Sequence, residues 1–80
     1  MISSWWRITP SDDPIDVSWS TKAHCNLLVK YNGVKLYTRV DVCPNMDFAK
    51  MLAKEMISAY LDGETMCEVC MYVFDCDYSD

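Results

Sequence analysis

Asn32-Gly33 stands between two runs, Cys25–Tyr31 and Val34–Val42, in each of which apolar and polar residues alternate. A two-residue Asn-Gly loop supplies the positive φ angles of a type I′ turn, whose twist matches that of the strands it joins. The segment therefore reads as a β-hairpin, and the turn sets its register. Tyr31 faces Val34, Val29 faces Leu36, Leu27 faces Thr38 and Cys25 faces Val40; these residues form the expected core side. The other side pairs Lys30 with Lys35, Leu28 with Tyr37 and Asn26 with Arg39. Two lysines directly opposite each other repel, so this side is expected to be solvated.

A helix follows. Asn45 is placed to be its N-cap, Asp47 falls in the first turn where the helix dipole favours an anion, and Gly63 suits the C′ stop. Within Met46–Asp62, the residues Ala49, Leu52, Ala53, Met56, Ala59 and Tyr60 recur on one face at helical spacing. The opposite face carries Asp47, Lys50, Lys54, Glu55, Ser58 and Asp62, interrupted by Met51 and Leu61. Isolated exposed apolar residues are ordinary, but such a pair gains meaning beside a docking surface.

Met66–Cys76 reads as a last strand, apolar on both alternations over Val69–Phe74. At the other end, Trp6 and Ile8 alternate with Trp5, Arg7 and Thr9. Ile15, Val17 and Trp19 alternate in the same way with Asp16, Ser18 and Ser20. Ser11-Asp12-Asp13-Pro14 is turn chemistry between these two strands. The order β-β-β-β-α-β follows. It makes an α+β fold: an antiparallel sheet of four to five strands with one helix packed on one face. A chain of 80 residues accommodates one such domain around one core.

Several function classes drop out. No apolar run approaches the roughly 18–20 residues of a membrane span, and residues 1–14 contain no apolar stretch of the signal-peptide kind. A reducing, cytoplasmic setting is the expectation. There, Cys25, Cys43, Cys67, Cys70 and Cys76 would be small buried hydrophobes; five is an odd count that closes no disulfide framework. Cys67-x-x-Cys70 has metal-ligand spacing but lies in an extended segment without Gly or Pro. Residues three apart on a strand point to opposite faces, so the two sulfurs would diverge. His24 adjoins Cys25 on a strand and cannot pair with it as base and nucleophile. The two glycines, Gly33 and Gly63, both have structural roles, leaving no phosphate loop. No cofactor, metal or catalytic residue is expected. A Cys-rich metal-binding or thiol-regulated protein is the alternative of a different class.

Charge is segregated along the chain. Residues 22–54 hold Lys22, Lys30, Lys35, Arg39, Lys50 and Lys54 against Asp41 and Asp47, whereas residues 55–80 hold seven acids and no base. The basic hairpin side, with Tyr37 between Lys35 and Arg39, raises a second alternative: a small nucleic-acid-binding regulator. A net charge of −5 and a pI near 4.5 oppose direct binding of a polyanion. The acidic third suits a partner protein instead. Asp62, Glu64, Glu68, Asp75, Asp77 and Asp80 would form a negative surface that docks on a basic nucleic-acid-binding groove. Tyr72 and Tyr78, with Trp5 and Trp19, are candidate aromatic anchors.

In its 80-residue length, acidic pI, Lys30–Lys35 hairpin, single short helix Met46–Asp62 and lack of catalytic residues, the chain resembles the anti-CRISPR proteins. These are small inhibitors of bacterial defence encoded by phages and mobile elements. The resemblance covers the whole chain but rests on build, with no shared motif. It implies a non-enzymatic inhibitor in the bacterial cytoplasm that binds a Cas effector complex and blocks target-DNA recognition, often through acidic side chains.

Overall fold

The computed structural model describes residues 5–21 and 25–63 together with the backbone of 72–74. Its strands are β1 (Trp6–Arg7), β2 (Asp16–Trp19), β3 (Leu27–Tyr31), β4 (Val34–Thr38) and β5 (Tyr72–Phe74). Helix α1 (Met46–Leu61) lies between β4 and β5 in the chain. All neighbours pair antiparallel, and spatial order equals chain order. The protein is thus an α+β meander, with the helix contained in its last connection.

Asn32 and Gly33 take φ values of 50° and 79°, the pair of positive angles that a type I′ turn requires. The register from Tyr31↔Val34 to Leu27↔Thr38 is the one the turn imposes. The ladder stops there, short of the full alternation. Beyond it the Asn26 side chain takes over, its Nδ2 donating to the Val40 carbonyl at 2.6 Å and its Oδ1 accepting from the Val40 N–H at 2.8 Å. A carboxamide offers one donor and one acceptor side by side, so it can stand in for a strand residue.

Expected solvation of the second hairpin side holds only at Lys30, Lys35 and Arg39, which are exposed. Leu28 is 6% exposed, and Tyr37 and Asn26 are half-buried. Trp5 is one cause: its ring meets that of Tyr37 edge-on, with centroids 6.3 Å apart. On the core side, Cys25, Leu27, Val29, Leu36 and Thr38 are buried as expected, while Tyr31, Val34 and Val40 are half-buried.

Thr9 organises the β1–β2 connection. It is 3% exposed; its Oγ1 donates to the Ile15 carbonyl and accepts from the Val17 N–H, both at 3.0 Å. One hydroxyl thereby satisfies two backbone groups that would otherwise be buried without partners. Asp13 shapes the turn itself. Its N–H donates to the Pro10 carbonyl at 3.0 Å, and its Oδ1 accepts from the Ile15 N–H at 2.9 Å, an Asx turn.

Helix α1 starts at the cap its sequence provides: Asn45 Oδ1 accepts from the Phe48 N–H at 2.8 Å. It ends with Asp62 as C-cap and Gly63 at φ 84°, the left-handed conformation that favours glycine. Ala49, Ala53 and Met56 share one buried cluster with Val17, Trp19, Leu27, Val29 and Leu36. By register those sheet residues occupy one alternation. Ala49 and Ala53, one turn apart and both fully buried, present only methyl groups to the cluster. Lys50 Nζ reaches Asp13 Oδ2 at 3.0 Å, linking the first half of the helix to the β1–β2 turn.

Candidate interaction surface

Of the residues expected to contact a partner, Asp62, Tyr72, Trp5 and Trp19 fall in the described parts. Asp62 is exposed at the C-terminal end of α1. Tyr72 opens β5, its backbone paired with Thr38. Glu64, Glu68, Asp75, Asp77, Asp80 and Tyr78 lie outside the described residues, as do His24, Cys67, Cys70 and Cys76. The expected strand Met66–Cys76 is described only as β5.

The position of Asp62 has an electrostatic consequence. A helix C-terminus carries a partial negative charge and is ordinarily matched by Lys, Arg or His in the last turn. Here the last turn holds no base, and an acid occupies the cap. Glu64 and the rest of the base-free segment follow in the chain. The opposite end of the helix obeys the rule, with Asp47 in its first turn. By the helix's own residues the negative pole at Asp62 is therefore reinforced rather than neutralised.

Beside this pole lies an apolar groove. Pro14 and Ile15 from the β1–β2 connection, Tyr31 at the end of β3, and Ile57 and Leu61 on the helix line an open depression of about 490 Å³, with Lys54 and Asp62 also on its lining. A smaller recess of about 70 Å³ adjoins it, sharing Tyr31, Ile57 and Leu61 and reaching Val34 and Leu36. Leu61 is 74% exposed. Sequence patterning picked out Leu61 as an interruption of the polar face but missed Ile57, Tyr31 and Ile15 as its neighbours. Each of those carries only an ordinary core signal within its own element.

Elsewhere the chemistry is plain. Among the described residues no group of three or more His, Cys, Asp or Glu side chains is placed to hold a metal. Cys25 is buried, as expected of a small hydrophobe, but Cys43 is exposed. It sits in the loop before the helix, outside both the sheet and the core cluster, where its thiol faces the Pro44 carbonyl at 3.7 Å. Trp19 is 9% exposed and so cannot be a surface anchor. Its Nε1 is buried with no hydrogen-bond partner among the described residues, and Trp6 stands edge-on against it, centroids 5.3 Å apart. Trp5 is half-buried against Tyr37. Among the described residues no helix is long and apolar enough to cross a membrane.

Among the described residues, Asp13 has an acidity that departs clearly from the ordinary. The Ile15 N–H bond, followed by the Lys50 ammonium, holds its carboxyl below the usual carboxylate range. The shift belongs to the turn and its tie to the helix.

No family model, curated protein or solved structure matches this chain.

Proposed function

We propose that this chain is a non-enzymatic inhibitor that docks an acidic surface on the basic nucleic-acid-binding surface of a partner protein, such as a Cas effector complex, and so keeps target DNA off it. One observation carries the proposal. Asp62 caps a helix whose last turn holds no base, and it lies within a segment, residues 55–80, with seven acids and no base. Spaced carboxylates meet the requirements of a surface built for phosphates. Complementary charge speeds encounter with such a surface and selects against other partners.

The test is competition against fluorescein-labelled target duplex on guide-loaded, DNA-binding effector complexes. A variant with Glu68→Lys, Asp75→Lys and Asp77→Lys is expected to lose about tenfold or more in affinity, equivalent to about 1.4 kcal/mol or more. The salt dependence of its binding should flatten as well. Unchanged affinity and unchanged salt dependence would remove the acidic-surface mechanism.

A further inference from the structure

We infer that the groove between the C-terminal half of α1 and the Ile15–Tyr31 end of the sheet receives a large apolar side chain from the partner, presented on a basic segment. This rests on the proposed acidic docking and names the chemistry of what docks. The groove volume of about 490 Å³ accommodates an aromatic or branched side chain, and its floor of Ile15, Tyr31 and Ile57 supplies apolar contact. The adjoining recess toward Val34 and Leu36 deepens it. Leu61, 74% exposed, forms a wall that stays in water until something covers it. Burying such a side chain fully contributes about 1.5–3 kcal/mol.

Charge complementarity decides the occupant. Asp62 and the helix's negative pole lie at one end of the groove, and the last turn has no base to satisfy them. Lys54 precedes Asp62 by eight residues on the helix, about 12 Å along its axis at 1.5 Å per residue. The apolar groove is therefore flanked by an acid at one end and a base at the other. A guanidinium next to the anchoring side chain pairs with Asp62, because a forked donor matches a carboxylate in geometry as well as charge. At the other end Lys54 faces a backbone carbonyl of the same segment. An aromatic anchor next to arginine is the composition in which interface hot spots are enriched.

The experiment titrates the full chain with two capped pentapeptides, one tryptophan flanked on each side by two arginines or by two glutamates, following backbone amide shifts by NMR. Saturable shifts at Tyr31, Ile57 and Leu61 are expected with the arginine peptide. Binding of the glutamate peptide should be at least about tenfold weaker, since a tenfold difference needs only about 1.4 kcal/mol. Leu61→Glu should abolish binding while the chain stays folded, and Asp62→Lys should weaken it and flatten its salt dependence. Absence of saturable shifts at millimolar peptide, equal binding of the two peptides, or full binding by Leu61→Glu would overturn the inference. So would a concentration-dependent dimer of the native chain that Leu61→Glu dissolves, since the occupant would then be a second copy. The parent reading fails separately. Loss of effector binding on reversing Glu68, Asp75 and Asp77, with Leu61→Glu retaining it, removes the groove and keeps the acidic docking. Peptide binding without any effector binding does the opposite.

Discussion

The two ends of helix α1 are built on opposite terms. At the N-terminal end every local rule agrees: Asn45 caps the first turn, Asp47 complements the dipole, and Lys50 is tied to Asp13. Ala49 behind them is completely buried. At the C-terminal end an acid sits on the negative pole, the last turn holds no base, and Leu61 faces solvent beside an apolar groove. Where local chemistry conflicts with the fold's own stability, a functional demand is the usual cause. One helix thus has an end fastened to the rest of the fold and an end where Leu61 and Asp62 are exposed, the end at which docking is proposed.

The largest expected effect breaks the structural end. Ala49→Leu forces extra methylenes into a filled cluster and should cost about 1–3 kcal/mol, whereas Leu61→Glu at the other end should stay within about 0.5 kcal/mol. Urea unfolding of the two variants checks this contrast. Equal losses would mean that Leu61 belongs to the core.

Reversing the capping logic sharpens the comparison. Asn45→Ala removes the acceptor of the Phe48 N–H and should destabilise by about 1 kcal/mol. Asp62→Lys should stabilise by about 0.3–1 kcal/mol, because it places a cation where the dipole favours one. A variant that gains thermal stability while losing partner affinity would show that the acid is kept at the expense of the fold. If Asp62→Lys lowered the melting temperature, the negative pole would have to be satisfied from within the chain.

The smallest effect concerns pH. The carboxyl of Asp13 is held below its ordinary range in the folded state, so its contribution is fully present above the unfolded value, near 3.9 for an aspartate. That contribution is lost as pH falls through the lower folded value. Native protein should therefore lose stability between about pH 5 and pH 2 more steeply than Asp13→Asn, which keeps an acceptor for the Ile15 N–H but not the charge facing Lys50. Parallel pH profiles in urea unfolding would show that the tie between turn and helix contributes nothing.

Much of the fold was legible beforehand because its signals are short-range. Asn32-Gly33 imposes a register on the residues it joins, and Asn45 and Gly63 bracket a helix through bonds that span only a few residues. Other features depended on partners distant in the chain. The hairpin's second side was expected to be wet, yet Leu28 is covered, with Trp5 arriving beside Tyr37 from the N-terminal end. Nothing within Asn26 or its neighbours announces that its side chain, rather than its backbone, continues the ladder to Val40. Thr9 likewise has an unremarkable sequence context but a hydroxyl on which two strand segments depend.

By itself the sequence determined the class, the turn, the helix limits and the segregation of charge, since each follows from residues adjacent or one helical turn apart. Only the tertiary structure decided that Ile15, Tyr31, Ile57 and Leu61 meet in one groove beside Asp62. These residues come from three separate segments, and each buries its surface by rules that specify a face but not a neighbour. Their meeting depends on how the helix is seated, which the burial of Ala49, Ala53 and Met56 in one cluster with Val17, Trp19, Leu27, Val29 and Leu36 sets.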